Sequence, residues 1–181
     1  MKKLRYKSFA VLLCIFCMMI STAHASENEI QLLSRLGISE EEYSDEEYAK
    51  ELTRAEFAVY ASGLMNLHSY ETVVEDNVPF SDVNPLSEGA GSIAALNSFG
   101  AMSGSDGKFY PNESVTLEQA AKTLVCITGN AYSAEARGGY PTGYLLIAGE
   151  KGILDGIETD NPILTRGSAL KMLYNTLFAD Y

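Results

Sequence analysis

The chain has 181 residues and is acidic, with 13 Lys and Arg against 24 Asp and Glu and a formal net charge of −11. This length fits one compact domain with a real core. The charge disfavours nucleic acid and anionic lipid as partners, so we predict neither.

The first 25 residues predict a secretory signal peptide. Met1–Lys7 carries four basic residues and no acid, an apolar run follows at Phe9–Ile20, and Ala23-His24-Ala25 places small residues at a cleavage site. A retained membrane anchor is the alternative, but a spanning helix needs about 20 apolar residues and this run is shorter. We therefore predict cleavage after Ala25, a secreted protein at the cell wall or surface, and no membrane association afterwards.

Cleavage would leave one cysteine, Cys126, and one histidine, His68. Cys126 lies in an apolar stretch, which predicts an inert buried thiol, and no intramolecular disulfide is possible. His68 is interpreted as a helix-end or connector residue. Neither residue has the spacing of a metal site or a catalytic triad, and the carboxylate run at 40–47 is typical of a solvated face. We predict no metal, no cofactor, no catalytic residue and no enzymatic activity.

The rest of the chain contains three repeats, predicted at residues 26–78, 79–130 and 131–181. Each repeat reads as an apolar helix, a glycine, a polar loop, a threonine and a second helix. An apolar residue precedes the glycine by seven positions in all three repeats, and the threonine follows the glycine by 16, 16 and 13 positions. The three sets are Ile30, Gly37 and Thr53; Ile93, Gly100 and Thr116; and Leu145, Gly152 and Thr165.

The first helices are predicted from apolar residues at helical spacing. These stripes are Ile30-Leu33-Leu36, Ile93-Leu96-Phe99 and Leu145-Ala148. The glycine that follows each stripe favours a helix C-cap, because glycine enters the left-handed conformation at little cost.

The second helices are predicted to begin at the threonines. Thr53 with Glu56 and Thr116 with Gln119 have the spacing of capping boxes, whereas Thr165 lacks a long acceptor three residues later. Residues 68–79 and 129–139 are interpreted as connectors between units. A two-helix unit cannot bury its own apolar faces, so we predict a mainly α fold in which three helix-loop-helix repeats pack with pseudo-threefold character around a shared helical core.

Several of these segments resemble the S-layer homology (SLH) family. Phe80-Ser81-Asp82-Val83, followed by Gly107-Lys108-Phe109-Tyr110-Pro111-Asn112, is similar to one SLH repeat almost end to end. Leu52–Phe57 contains the Thr-Arg-Ala-Glu signature of that family. Gly138–Tyr144 with Leu164–Gly167 looks like a third repeat.

The resemblance implies a spindle-like domain that binds secondary cell-wall polysaccharide non-covalently, often through pyruvylated sugars, in grooves between repeats. The family's binding residues are the arginine of the signature, a tryptophan near the start of the first helix and glycines of the loop. Arg54 and Arg166 match the arginine, and Leu117 replaces it in the middle repeat. Tyr140 and Glu88 stand at the tryptophan position of the third and second repeats, and Gly104 and Gly156 fit the loop glycines.

The residues themselves support part of this implication. A helix N-terminus with an arginine in its first turn favours a carboxylate, and Tyr140 and Tyr144 can stack on a sugar ring. The alternatives are that Arg54 pairs with Glu51 and Glu56 at the surface and that the tyrosines serve packing.

Two functions therefore remain open. One is an anchor that binds a cell-wall polysaccharide through Arg54, Arg166, Tyr140, Tyr144, Gly104 and Gly156. The other is a structural or assembly protein whose repeats pack against other surface-layer proteins, which the absence of tryptophan favours.

Overall fold

The computed structural model describes residues 25–67 and 78–179. In these ranges the chain is mainly helical, as predicted, and its extended segments meet only in isolated bridges. The helices are α1 (Glu27–Arg35), α2 (Asp45–Ala49), α3 (Arg54–Leu64), α4 (Ala90–Ser98), α5 (Leu117–Ile127), α6 (Ala131–Ala136), α7 (Thr142–Glu150) and α8 (Arg166–Leu177).

The predicted glycine C-caps of the first helices α1, α4 and α7 are confirmed. Gly37, Gly100 and Gly152 have φ of 72°, 68° and 73°. In each case the amide after the glycine donates 2.9 Å back to a carbonyl five residues earlier, which is the Schellman arrangement. These three bonds run from Ile38 to Leu33, from Ala101 to Leu96 and from Ile153 to Ala148.

In two of the predicted apolar stripes the last residue is exposed, so that part of the prediction is wrong. Leu36 and Phe99 are 48% and 60% exposed, because each is the C-cap residue at the very end of its helix. The apolar residue after the glycine, Ile38 or Ala101, is buried instead. The Schellman turn thus buries the apolar residue after the glycine and leaves the apolar residue before it exposed.

The second helices α3, α5 and α8 begin at the predicted threonines. The hydroxyls of Thr53, Thr116 and Thr165 each accept a hydrogen bond from the third helical amide, at 3.2, 3.3 and 3.2 Å. The two predicted capping boxes are complete, with Glu56 and Gln119 accepting from the backbone of their caps. Local sequence therefore fixes where the central helices start.

Three residues that precede these helices form a closed ring of backbone hydrogen bonds. The Leu52 amide donates to the Leu164 carbonyl at 3.1 Å, the Leu164 amide to the Val115 carbonyl at 3.0 Å, and the Val115 amide to the Leu52 carbonyl at 2.9 Å. All three side chains are buried. Helices α3, α5 and α8 contact one another below this ring.

The first helices pack on the second helix of the preceding predicted repeat. Helix α4 packs on α3 and α7 on α5, while α1 packs on α8 and so joins the beginning of the described chain to its end. Each predicted repeat thus contacts the next one, and the third contacts the first. The predicted pseudo-threefold arrangement agrees with these contacts and stays a prediction for the molecule as a whole.

Two helices were not predicted. Helix α2 forms in the acidic run because Ser44 and Glu47 make a further capping box. Helix α6 lies inside residues 129–139, so the interpretation of that segment as a plain connector is wrong; Ala134 of this helix is buried against the core, and α6 packs on α5 and α7.

Other sequence predictions fall outside the described residues. They are the signal peptide up to residue 24, His68, and the connector over 68–77. Within the described ranges, no helix has the length and apolar character required to cross a membrane.

Candidate binding clefts

Arg54, the first residue of α3, is buried and held by the second predicted repeat. It is only 6% exposed. Its Nε donates 2.9 Å to the Phe109 carbonyl and its Nη2 donates 2.9 Å to the Ser103 carbonyl. The guanidinium carbon lies 4.5 Å from the centre of the Phe109 ring. The alternative of a surface pair with Glu51 or Glu56 is therefore wrong.

The acceptors of Arg54 are positioned by the Phe-Ser-Asp-Val segment of the second predicted repeat. The Asp82 carboxylate accepts from the amides of Phe109 and Tyr110, both at 2.8 Å. The Phe80 ring packs on Phe109 with centroids 5.3 Å apart. This loop is thus rigid enough to orient the Arg54 guanidinium.

Burial is the largest influence on the protonation of Arg54. It lowers the pKa of the guanidinium, and Glu113, Tyr140 and Asp82 nearby offset part of that fall. A guanidinium stays protonated through such shifts, and it has more N–H donors than the two carbonyls use. Arg54 is therefore a fixed positive charge with donors to spare.

Arg54 lines a cleft of about 190 Å³ to which all three predicted repeats contribute. We call it the Arg54 cleft. Its lining residues are Arg54, Ala101, Met102, Ser103, Gly104, Gln119, Lys122, Thr123 and Tyr140. The cleft thus unites three sequence-predicted site residues, Arg54, Gly104 and Tyr140.

Among the residues that the structure describes, the lining of the Arg54 cleft contains two cations and no carboxylate. Lys122 donates 2.9 Å to the Ser103 hydroxyl. Tyr140 is half exposed, at 52%. Burial raises the pKa of its phenol, and the charge of neighbouring Glu118 raises it further. The two cations of the lining suit an anionic group of a ligand, although the carboxylates of Glu113, Asp82 and Glu118 lie near the cleft.

Gly104 admits no larger residue. A Cβ on Gly104 would lie 1.9 Å from the Lys108 carbonyl oxygen and 2.7 Å from the Phe80 ring. Only glycine permits this close approach of the loop to itself. The loop glycine thus shapes the wall of the cleft.

The expectation that helix N-termini offer free amides to a ligand is wrong for α3. The amides of Arg54 and Ala55 donate to the carbonyls of Glu113 and Pro111, at 2.8 and 3.0 Å, and the Glu56 amide is capped by Thr53. The Arg166 amide likewise donates 2.8 Å to the Lys50 carbonyl. Recognition in the clefts therefore depends on side chains.

Arg166, at the start of α8, lines a larger cleft of about 600 Å³, which we call the Arg166 cleft. Its Nη2 donates 2.8 Å to Oε1 of Glu56, and its guanidinium lies 5.4 Å from the Tyr43 ring centre. The lining residues are Gly37, Ile38, Ser39, Glu40, Tyr43, Glu47, Lys50, Ala55, Glu56, Val59, Tyr60, Glu88 and Arg166. Four carboxylates here face two cations, the reverse of the balance in the Arg54 cleft.

The two clefts use equivalent positions. Counted from the capping threonine, Gln119 and Lys122 in the Arg54 cleft correspond to Glu56 and Val59 in the Arg166 cleft. At the predicted tryptophan position, Tyr140 of one cleft corresponds to Glu88 of the other. Each of these exchanges makes the Arg166 cleft less suited to an anion.

Gly156 lies away from both arginines. A Cβ on it would lie 3.8 Å from Lys171 Cε, and Lys171 is engaged by Glu29 in an ion pair. The equivalent of the arginine is Leu117, which is 4% exposed and buried in the core. The structure does not bring Gly156 together with the other predicted site residues.

Tyr144 serves packing in this structure. It is 3% exposed and its hydroxyl donates 2.8 Å to Glu135. Burial, followed by that hydrogen bond, raises the pKa of its phenol well above the ordinary value. A sugar cannot reach this ring, so the expectation that Tyr144 contacts the ligand is wrong, and its packing alternative describes it.

Cys126 is partly buried on α5. Burial raises the pKa of its thiol, with a smaller contribution in the same direction from Glu135. A thiol whose pKa is raised is a poor nucleophile at neutral pH. Among the residues that the structure describes, no group of three His, Cys, Asp or Glu side chains is placed to hold a metal ion.

Sequence reasoning missed Lys122, Gln119 and Ser103. Lys122 stands six positions after Thr116, where Val59 and Lys171 stand after their own threonines. A comparison of the three repeats at that register would have identified it as a variable charged position beside the arginine.

Comparison with known proteins identifies part of the chain. Residues 79–121 match the model of the S-layer homology domain family, so the predicted resemblance is confirmed for this segment. The match includes the loop that holds Arg54 and the first turn of α5.

The chain is also similar to the middle cell wall protein of Brevibacillus brevis. Identity is 29% over 157 residues, which are 85% of this chain and 15% of the relative. The chain thus spans a small part of that relative's length. Together the two similarities point to the bacterial cell surface or wall.

Proposed function

We propose that this protein anchors itself non-covalently to the cell wall by binding a secondary cell-wall polysaccharide, and that an anionic substituent such as a pyruvyl ketal enters the Arg54 cleft. The observation that carries the proposal is the lining of that cleft, which includes Arg54 and Lys122 and, among the described residues, no carboxylate. The SLH match over the residues that form one wall supports it.

The chemistry of the cleft suits such a ligand. The Arg54 guanidinium is oriented by two carbonyls and can direct its remaining donors at a carboxylate. Lys122 supplies a second charge, and the half-exposed Tyr140 ring offers a flat face to a pyranose. The protein acts by binding alone, without catalysis, and reaches the wall through secretion directed by residues 1–25.

The three predicted repeats support this assignment, because the cleft draws one residue group from each. Arg54 belongs to 26–78, Gly104 to 79–130 and Tyr140 to 131–181. A binding site of this kind requires all three units to be folded together. The cyclic hydrogen bonds and helix contacts between the predicted units meet that requirement.

A pull-down on purified sacculi tests the proposal. Sacculi are stripped of protein and used before and after mild acid removal of ketals. We expect the protein to sediment with intact sacculi, to lose most of that binding after ketal removal, and to lose it through Arg54→Ala or Lys122→Ala. Gly149→Ala is the control, since Gly149 is on α7 with open space around it and outside the lining of the cleft.

Binding that persists after ketal removal and in Arg54→Ala would contradict the proposed site. A second candidate function, packing against another surface protein, is favoured by the exposed apolar side chains of Leu86, Tyr132 and Phe178. It predicts no sedimentation with protein-free sacculi and recovery of binding when surface-layer proteins are left on them.

A further inference from the structure

We infer that the Arg166 cleft is closed to anionic ligands by the protein's own Glu56 carboxylate, so that the protein binds one anionic sugar and not two. The inference rests on the proposed function of the Arg54 cleft. It adds that the second cleft is held in a self-occupied state and names the residue that occupies it.

Glu56 is placed where a ligand carboxylate would be. It comes from the third position of α3, in the first predicted repeat, and its Oε1 lies 2.8 Å from Arg166 Nη2 of the third. Its other oxygen, Oε2, accepts from both the amide and the hydroxyl of Thr53, at 2.9 and 2.8 Å. The capping box therefore holds the carboxylate rigidly against the arginine.

Among the described residues, no carboxylate forms an ion pair with Arg54 in the Arg54 cleft. Gln119 stands at the position of Glu56, and its amide oxygen accepts from the Thr116 amide at 3.3 Å. A neutral amide completes the same cap but cannot neutralise a guanidinium. Because Arg54 is satisfied by carbonyls and not by a carboxylate, its charge stays available.

Arg166 also retains an unused donor. Its Nε is buried and has no hydrogen-bond partner among the described residues, whereas the equivalent Nε of Arg54 donates to the Phe109 carbonyl. A buried donor without a partner is unfavourable. Removing the Glu56 charge would release the Nη2 group of Arg166 for an entering carboxylate.

Isothermal titration with the methyl glycoside of a pyruvyl-ketal sugar tests this inference, with the same glycoside lacking the ketal as the blank. We expect one site in the unmodified protein, no site in Arg54→Ala, and one unchanged site in Arg166→Ala. Glu56→Gln, which copies Gln119 and keeps the capping box, should gain a second site.

A fuller graft covers the case in which the second site of Glu56→Gln is weak. The triple variant Glu56→Gln, Val59→Lys, Glu88→Tyr copies Gln119, Lys122 and Tyr140, the three side chains of the Arg54 cleft at the equivalent positions. Its matched control, Val59→Lys with Glu88→Tyr, keeps Glu56. We expect two sites in the triple variant and one in the control.

The inference is overturned if the triple variant and Glu56→Gln both stay at one site, if the control gains a second site, or if Arg166→Ala weakens the binding of the unmodified protein. Those outcomes leave the proposed function intact as long as Arg54→Ala abolishes binding. Absence of binding in every variant contradicts the proposed function itself.

Discussion

At the scale of the residue, the arginines at the equivalent position of the first and third predicted repeats have different surroundings. Arg54 is fixed by the Ser103 and Phe109 carbonyls, and Arg166 by the Glu56 carboxylate. The first arrangement orients a charge and the second neutralises it. Under the proposed function, the same signature residue therefore binds the ligand in one cleft and has a structural role in the other.

Arg54→Lys separates charge from geometry. Lysine keeps the positive charge but lacks the planar fork that reaches two carbonyls and a ligand together. We expect affinity for the pyruvylated glycoside to fall about tenfold or more, which corresponds to about 1.4 kcal/mol. Titration calorimetry measures the change, and an affinity equal to that of the unmodified protein would contradict an oriented guanidinium.

Glu56→Gln has a pH-dependent cost to stability. Burial raises the Glu56 pKa, but the Thr53 hydrogen bonds and the Arg166 charge outweigh it and leave the pKa below the ordinary value of 4.5. The carboxylate therefore stabilises the fold above the pKa of the unfolded chain, and this contribution is lost as pH falls through the lower folded-state pKa.

We expect Glu56→Gln to lower the free energy of unfolding by about 0.5 kcal/mol at pH 7, a value kept small because the side chain is 39% exposed. The difference should shrink as the pH is lowered from the reference pKa of a glutamate through the lower folded-state pKa of Glu56. Urea unfolding of both proteins measures it. A difference that persists in acid would show that the ion pair is not its origin.

At the scale of the element, helix ends carry most of the local instructions. Threonines with Glu or Gln begin α3 and α5, and glycines with positive φ end α1, α4 and α7. These signals have short-range physical causes, so they were readable from sequence. The local sequence thereby specifies where these helices begin and end, independently of contacts between repeats.

Gly100→Ala tests the helix-ending role of glycine. The site has open space but a φ of 68°, so the cost is conformational and we expect a loss of about 1 kcal/mol in unfolding free energy. Gly149→Ala, inside α7 with open space, should be neutral or stabilising by up to about 1 kcal/mol. Thermal unfolding compares them, and equal effects would contradict the argument.

The features that the sequence did not predict also have physical reasons. Helix α2 and α6 were missed because each is short, and α6 owes its existence to packing on α5 and α7. The partners of Arg54 were missed because they lie 49 and 55 residues away in the chain. Tyr144 was misassigned because the sequence does not reveal which face of α7 meets the core.

At the scale of the whole molecule, the predicted repeats depend on one another. The ring through Leu52, Val115 and Leu164 takes one residue from each, and α1 packs on α8 across the whole described sequence. In the part of the chain that the structure describes, the first helix of each predicted unit packs mainly on the second helix of another unit. The clefts exist only where units meet, so binding and folding are linked.

Leu164→Ala tests this interdependence. The side chain is 2% exposed in the ring, so we expect a loss of about 2–4 kcal/mol. Because the contacts are cyclic, urea unfolding followed by helical circular dichroism and by tyrosine fluorescence should give one coincident transition. Two separated transitions would show that the units unfold independently.

The central claim is that an anionic wall sugar enters the Arg54 cleft. Titration of isotopically labelled protein with the pyruvylated glycoside, followed by backbone amide chemical shifts, locates the ligand directly. We expect shifts concentrated at 101–104, 119–123 and Tyr140, with little change at 37–40 and 56–60. Shifts centred on the Arg166 cleft, or none at saturating glycoside, would contradict it.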